Sequence, residues 1–336
     1  MNSSNKSMLS NPFSSGSGGA VFEIKVQAGF VALMLCEGVC PCLHESWPIV
    51  KVIFQTKYRG VNTDDFLVIT RNDHTGGEAK LLVQVKHSVA FNMSDSQLRE
   101  AFRAAWTDFS DKQLFKDGFD AIALITGPLS KTDTEDVCAL LALAREAEDA
   151  QDFFTKKDLA NFCGKAQRQK FEVIVHYLTD ANGGVRPGNA EVWSFMKSFF
   201  LLGFDMDLAA GICVSLLQSL IGQATGDDVK DVWRHIVYVL AHKNPRAGAI
   251  TLANIDPSLK RRFALRGSRT PPTIAASTRT AVGIPPSPVK ELVALNLIGG
   301  WDEKAAGDRA VVEALSGMAF GDWQAKVREI WKDQDQ

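Results

Sequence analysis

Cysteine is scarce in this chain, with six among 336 residues, and that number is too low for a small scaffold held together by disulfides. The sequence has no uninterrupted apolar run of about 18 residues, which argues against a membrane span. Its start, MNSSNKSMLSNPFSSGSGG, is polar and lacks the apolar core of a secretory signal. We therefore expect a cytoplasmic protein with reduced cysteines and no membrane contact.

An excess of either charge is also lacking. The chain has 37 basic and 39 acidic residues, a formal net charge of -2, and this excludes a polycationic coat for nucleic acid but not a local basic cleft. No GxxxxGK[ST] phosphate-binding loop is present, so no P-loop NTPase lies within this chain. No Gly-x-Ser-x-Gly nucleophile elbow is present either. The hydrophobic fraction of 46% is that of a globular protein, and the length fits two domains.

Apolar spacing and β-branched runs predict a helix, three strands, a helix and a further strand in the first half of the chain. The predicted helices begin at Ala20 and Ser94 and cover 131–147 and 156–165, and the predicted strands cover 50–56, 64–70, 80–87, 120–126 and 171–178. The loop with Gly76 and Gly77 joins two of these strands as a hairpin. This order predicts an α/β fold, a mixed sheet flanked by helices, followed by an all-α helical region.

Composition changes along the chain predict five segments. They are a disordered lead-in at 1–17, an α/β domain at 18–180, a helical bundle at 190–265, a linker rich in Pro, Ser and Thr at 266–288, and a helical tail at 289–336.

The strongest group of polar residues belongs to the predicted hairpin strands. Asp64 and Asp65 stand at the head of one strand, and Gln84 and Lys86 stand near the end of the next. Pairing of the two strands brings these positions to one end of the sheet, where Glu23 of the first helix can supply another carboxylate. Oxygen ligands of this kind suit Mg²⁺ or Mn²⁺, and a lysine beside them can orient a water nucleophile or stabilise charge on a phosphate.

A structural interpretation of the same residues stays open. An acidic pair before a strand is common in turns, and a Gln-x-Lys pair is also found on the solvated face of a strand. However, LLVQVKH is otherwise apolar, and a surface strand usually carries more charge. The polar pair in this run therefore favours a functional site.

At these residues the sequence resembles the PD-(D/E)xK, restriction-endonuclease-like superfamily, in the variant that has Gln at the second acidic position. The segments GSGGAVFEIKVQAGFVALML, IFQTKYRGVNTDDFLV and LLVQVKHS are most similar to the N-terminal double-stranded-DNA nuclease effector domain of bacterial antiphage proteins, which occurs in STAND NTPases and CBASS effectors. The resemblance covers residues 16–180 and implies a restriction-endonuclease-like sheet.

The resemblance also implies residue roles. It makes Asp65, Gln84 and Lys86 catalytic, and it makes Glu23, Asp64, Asp65 and Gln84 the ligands of Mg²⁺ or Mn²⁺. The Gln removes one charged ligand, so the cation would depend more on Glu23. The basic residues that flank the site are expected to contact DNA: Lys51, Lys57, Arg59 and Lys80.

The resulting functional expectation is an Mg²⁺-dependent DNA endonuclease, a hydrolase that cuts double-stranded DNA as an antiphage effector. We expect a homo-oligomer whose NTPase and sensor region, or separate sensor protein, lies outside this chain. Two alternatives remain. One is a catalytically inactive nuclease fold that binds DNA or protein, and the other is a zinc scaffold built on Cys36, Cys40, Cys42 and His44.

Overall fold

The fold is described from a computed structural model of the 336-residue chain, in which residues 17–44, 46–208 and 211–264 are described. These residues belong to one compact unit. The predicted linker at 266–288, the predicted tail at 289–336 and all but the last residue of the predicted lead-in at 1–17 lie outside the described residues.

The described chain contains both helices and strands, with a π-helical turn at Asp133–Cys138 and 3-10 turns at Thr56–Arg59 and Asn244–Arg246. The strands are β1 (Ile49–Phe54), β2 (Phe66–Arg71), β3 (Glu78–Val85), β4 (Ala121–Thr126), β5 (Phe199–Gly203) and β6 (Ala249–Ile250). The helices are α1 (Ser17–Leu35), α2 (Ser96–Ser110), α3 (Ala139–Glu146), α4 (Ala150–Asp158), α5 (Lys165–Ala181), α6 (Asn189–Ser198), α7 (Ile212–Thr225), α8 (Val229–Lys243) and α9 (Pro257–Ala264).

The six strands form one mixed sheet in the order β5-β4-β3-β2-β1-β6. The pairs β1–β2, β2–β3 and β1–β6 are antiparallel, and the pairs β3–β4 and β4–β5 are parallel. The predicted fold class, a mixed α/β sheet flanked by helices with a helical region after it, is confirmed.

Each face of the sheet carries its own hydrophobic core because side chains alternate along the strands. On one face Leu82 and Leu124 pack with residues of α2, α3, α5 and α6. On the other face Leu81 and Val83 pack with residues of α1, α7 and α8. The central strands are therefore buried on both sides, and polar groups at the strand ends stand out as candidates for function.

Three secondary-structure predictions were wrong. The helix predicted at 156–165 covers the end of α4, an irregular turn at 159–164 and the first residue of α5. Residues 171–178 belong to helix α5 and not to a strand, because Phe171, Ile174 and Leu178 recur at helical spacing and are buried on one face. The β-branched residues of this segment suggested a strand, but tertiary packing overrides so weak a propensity.

Residues 190–265 are not all helical. They supply β5 and β6, one at each edge of the sheet, so the helices after residue 190 share the sheet and its core with the rest of the fold. β5 is only five residues long and follows α6 without a turn, and β6 has two residues. Strands this short carry too little alternation to be recognised in a sequence.

Helix α1 is the one described helix that is long and apolar enough to cross a membrane by length and composition. Its residues 18–35 have a mean hydropathy of 1.4, and 56% of them are buried in the fold. Core helices pass the same test, and α1 packs against the sheet with Val26 and Phe30 fully buried. Helix α1 therefore meets the length and hydropathy criterion for a membrane span as an apolar helix of the protein core.

Candidate metal centre

Two carboxylates lie at the end of the sheet where β3 finishes. Asp65 directly precedes β2, and Glu23 lies in the first part of α1. Their charges interact, since Glu23 is the largest electrostatic contributor to the raised pKa of Asp65. The structure therefore brings the predicted acids together although 42 positions separate them in the sequence.

Glu23 is held by three side-chain amides. Its Oε1 accepts hydrogen bonds from Gln27 Nε2 at 2.8 Å, Asn244 Nδ2 at 3.0 Å and Gln55 Nε2 at 3.1 Å. Gln27 and Gln55 also donate to Asn244 Oδ1, at 3.3 and 3.2 Å. Three polar side chains from separate parts of the chain thus fix one oxygen of Glu23, and no hydrogen bond to its Oε2 occurs among the described residues.

Asp65 is held by β3. Its Oδ2 accepts hydrogen bonds from Gln84 Nε2 at 2.6 Å and from the backbone N–H of Val85 at 2.5 Å. Within the described ranges, Oδ1 of Asp65 receives no hydrogen bond. Each acid therefore uses one oxygen for its own positioning and leaves the other available. Gln84 presents its amide nitrogen to Asp65, so its visible role is to orient that carboxylate.

Burial and neighbouring negative charges oppose ionisation of both acids. Burial is the largest cause that raises the pKa of Asp65, to about 7, followed by repulsion from Glu23, while the Val85 N–H and the charge of Lys86 act in the opposite direction. Burial also raises the pKa of Glu23, and the charge of Asp64 adds to this, although the hydrogen bonds from Asn244, Gln27 and Gln55 lower it. A bound cation would remove this electrostatic cost.

The segment before β2 is fixed from outside the cluster. Asp108 of α2 is fully buried and accepts hydrogen bonds from the backbone N–H groups of Asn62 and Thr63, at 2.8 and 2.6 Å. Earlier in the chain, Gln55 has a φ of 49°, in the left-handed region that residues other than glycine seldom occupy. Its backbone N–H donates to the Asp65 carbonyl at 3.0 Å. A strained residue in a polar cluster is typical of functional sites.

Lys86 and His87 follow β3 and face opposite sides of the sheet. Lys86 Nζ lies 3.7 Å from Glu100 of α2, and its charge is close enough to lower the pKa of Asp65. His87 packs edge-on against Phe22 of α1 and lies 3.4 Å from Asp207. Lys86 is therefore the basic residue that shares the metal centre with the acids.

The residues predicted to contact DNA are scattered. Lys80 lies near the start of β3, where its ammonium donates to the Leu114 carbonyl and lies 3.3 Å from Asp120. It lies four positions before Gln84 in the same strand, which corresponds to about 13 Å along the strand. Lys57 and Arg59 are exposed in the 3-10 turn after Gln55, and Lys51 is half-buried in β1. Of these four basic residues, only Lys57 and Arg59 lie close in the sequence to a residue of the cluster, Gln55.

The cysteine and histidine group predicted as a zinc alternative is not assembled as a site. In the described part of the chain, no three His, Cys, Asp or Glu side chains are grouped to hold a metal ion. Burial raises the pKa of the Cys40 thiol, and it raises that of Cys42 to about 12, so both resist the deprotonation that zinc binding needs. The same finding means that Glu23, Asp64 and Asp65 do not form a group of three ligands in the described structure.

Sequence reasoning missed three residues of the cluster: Gln27, Gln55 and Asn244. A usable indication existed for Gln27, which stands four residues after Glu23 in an apolar helix and therefore on the same face. Asn244 lies 221 positions from Glu23, and nothing in the sequence connects the two.

Comparison with models of known protein families gives no match, and comparison with curated proteins gives none. Similar solved structures include an Acinetobacter baumannii Cap4 SAVED/CARF-domain containing receptor with the cyclic trinucleotide 3'3'3'-cAAA, with a TM-score of 0.39 and 9% identity over 70% of this chain and 44% of that chain. A Moraxella osloensis Cap4 SAVED/CARF-domain containing receptor has a TM-score of 0.38 and 11% identity over 70% and 45% of the two chains. This chain thus spans less than half the length of these structures.

The comparison corrects the identification made from the sequence. The structures found are named as receptors, two of them with a cyclic trinucleotide, and not as nucleases. The identification as a PD-(D/E)xK nuclease, the cleavage of double-stranded DNA, the DNA binding and the inactive-nuclease alternative are therefore wrong and are not retained. At these TM-scores neither ligand nor activity transfers to this chain. The divalent-cation site was inferred from the residues themselves and is independent of that identification.

Proposed function

We propose that this chain binds one Mg²⁺ or Mn²⁺ ion between Glu23 and Asp65, and that the ion and Lys86 together hold the phosphate of a small phosphate ester. The observation that carries this proposal is the pair of positioned carboxylates, each with one oxygen fixed by amides and one oxygen without a hydrogen bond in the described structure. One carboxylate oxygen of each acid is therefore left available for a cation.

Charge supports a cation at this point. Glu23 raises the proton affinity of Asp65, and the charge of Asp64 raises the proton affinity of both acids. The charge of Lys86 lowers the pKa of Asp65, but by less than burial, Glu23 and Asp64 each raise it. A divalent ion bound by both acids compensates two charges at once, which a single lysine cannot do.

The ligand set fits magnesium better than zinc or calcium. Mg²⁺ usually keeps several waters and takes one or two carboxylates together with phosphate oxygens of its ligand. The cluster offers the carboxylates of Glu23 and Asp65, and the described residues provide no third His, Cys, Asp or Glu ligand that completes a group of three. In addition, the buried Oε1 of Gln27 has no hydrogen-bond partner in the described structure and stands beside Glu23. The incomplete protein ligand set is the reason for proposing a phosphate-bearing ligand.

The proposed reaction class is hydrolysis of the bound phosphate ester. The cation, when bound, supplies a Lewis acid for the phosphoryl oxygen and for a water nucleophile. Lys86 supplies a fixed positive charge beside Asp65, where negative charge develops on the phosphate. Gln84 and the Val85 N–H keep Asp65 oriented.

The cation site is tested by calorimetric titration of metal-free protein with Mn²⁺ at about pH 8, where Asp65 is ionised. One ion per chain is expected, and Asp65→Asn and Glu23→Gln are each expected to weaken binding more than about tenfold, because each loses a ligand charge. Glu78→Gln, an exposed acid at the far end of β3, is the matched control. Equal affinity in all four proteins would contradict the site.

The ligand is tested by adding a chromogenic phosphodiester, and separately a cyclic trinucleotide of the kind held by two of the similar structures, with Mn²⁺ present. Lys86→Gln is expected to lower turnover of the cleaved ester by about 100-fold while Mn²⁺ affinity changes less than threefold. Binding of either ester only when Mn²⁺ is present supports the phosphate-ester proposal. If the protein binds Mn²⁺ but neither binds nor cleaves either ester, the phosphate-ester ligand is wrong and the cation site is not affected.

A further inference from the structure

A cavity lies at the end of the sheet that is opposite to the metal centre. It has a volume of about 380 Å³ and is bordered by the starts of β3 and β4 and by the end of α6. Small-molecule sites have volumes from about 300 Å³ upward. From its shape and chemistry we propose that this cavity binds a nucleoside monophosphate, with the base against its aromatic wall and the phosphate beside α6.

The space exists because small residues occupy the strand ends. Ala79 begins the buried part of β3, Ala121 begins β4, and Ser198 ends α6, and all three line the cavity. Gly118, in the turn just before β4, adds no side chain. Larger residues at these positions would fill the cavity, as the apolar side chains of the sheet do elsewhere.

Three aromatic side chains line the cavity and are called its aromatic wall: Trp47, Phe119 and Phe200. Trp47 is almost buried and stacks on His44, with ring centroids 5.4 Å apart and planes 21° apart. Phe119 stands at the mouth with 60% of its surface exposed, and Phe200 lines the cavity from β5. A large apolar ring left exposed beside a cavity supplies a stacking surface for a planar base, and such stacking tolerates any base.

The other wall is polar and carries positive charge. Ser194, Lys197 and Ser198 stand at helical spacing on one face of α6, and all three line the cavity. The Lys197 ammonium lies 3.8 Å from the centre of the Trp193 ring, and no carboxylate lies within ion-pair distance of it among the described residues. The Ser198 hydroxyl already donates to the Ser194 carbonyl at 3.0 Å, so the ammonium of Lys197 and the hydroxyl of Ser194 are the groups that suit a phosphate.

The acidic residues of the cavity are already neutralised. Asp117 lies 3.1 Å from Lys112, and the buried Asp120 lies 3.3 Å from Lys80 and accepts hydrogen bonds from the backbone N–H groups of Lys80 and Lys116. Behind the aromatic wall, the Arg145 guanidinium packs over Phe200 at 4.3 Å. The charge left uncompensated near the cavity is therefore positive, and this favours a ring with an anionic group over a neutral one.

The test is calorimetric titration of the full chain with AMP, adenosine and inorganic phosphate, all in EDTA so that no divalent cation occupies the metal centre. AMP is expected to bind more tightly than adenosine, and phosphate alone is expected to bind too weakly to measure. Phe119→Ala is expected to weaken AMP binding about tenfold. Lys197→Gln is expected to weaken AMP binding but leave adenosine binding unchanged, because only AMP has the phosphate.

Matched controls separate the cavity from the rest of the surface. Phe162→Ala removes another exposed phenylalanine and is expected to bind AMP as the wild type does. Asp65→Asn is expected to do the same, so a failed metal centre does not affect this result. Ser194→Trp, which fills the cavity from α6, is expected to abolish binding. No AMP binding by wild type at millimolar concentration, or equal binding by wild type, Phe119→Ala and Ser194→Trp, would overturn the proposal.

Discussion

Replacing Asp65 by Asn is expected to raise the free energy of unfolding by about 1 to 3 kcal/mol at pH 8 in the absence of divalent cations. The reason is that burial, and then repulsion from Glu23, raise the pKa of Asp65 to about 7 in the folded protein. At pH 8 the wild type must therefore keep an unfavourable charge in the fold. The uncharged amide of the variant removes that charge and keeps a similar shape.

The direction of the pKa shift of Asp65 determines how the stability of the protein depends on pH. A carboxyl group with a raised pKa binds its proton more tightly when folded than when unfolded, so the stability of the wild type falls as pH rises from about 4 to about 7. The raised pKa of Glu23 acts in the same direction. In Asp65→Asn this fall is expected to be shallower, and the two proteins should be closest in stability near pH 4.

Urea unfolding in EDTA at about pH 4.5, 6 and 8 measures the difference. Asp73→Asn, in the exposed hairpin loop, is the matched control and is expected to change stability by less than about 0.5 kcal/mol. Saturating Mn²⁺ at pH 8 is expected to reverse the order, because a ligand at 100 times its Kd stabilises the wild type by about 2.7 kcal/mol. If wild type and variant respond identically to pH, the acids are not electrostatically coupled as described.

Asp108→Asn is expected to lower the free energy of unfolding by about 2 to 3 kcal/mol. Asp108 is fully buried, and its two oxygens accept three hydrogen bonds, from the backbone N–H and side-chain Nδ2 of Asn62 and from the backbone N–H of Thr63. An amide group replaces one accepting oxygen by a donor, so at least one buried N–H loses its partner.

The same change should weaken the metal centre, because the segment held by Asp108 continues directly into Asp64 and Asp65. We expect Mn²⁺ affinity to fall about tenfold in Asp108→Asn, measured by calorimetry at a temperature where the variant is folded. Asp111→Asn, exposed at the end of the same helix, is expected to alter neither stability nor affinity. Full Mn²⁺ affinity in a destabilised Asp108→Asn would show that this segment does not position the acids.

Much of the sheet was predictable because its strands are strongly patterned. β2, β3 and β4 lie within two residues of the segments that alternation predicted, and α2 begins two residues after Ser94. The prediction failed where the pattern was ambiguous or short. β-branched residues at helical spacing in α5 suggested a strand, and β5 and β6 were too short to be detected.

The metal centre was predictable in part. Glu23, Asp65, Gln84 and Lys86 were found because hairpin pairing and apolar context place them at one sheet end. The roles suggested for them by family resemblance stay predictions. Gln84 was expected to offer an oxygen to the cation, and the structure shows its amide nitrogen donating to Asp65.

The amino-acid sequence alone determines the pairing of β2 with β3 and which polar residues stand at the ends of these strands, because both depend on short-range periodicity and on strands that are neighbours in the chain. It contains no indication that Asn244 reaches Glu23, that Asp108 holds the segment before Asp65, or that small residues of β3, β4 and α6 enclose a cavity. The first two relations join residues 221 and 45 positions apart, and only packing of the helices on the two faces of the sheet brings them within contact distance.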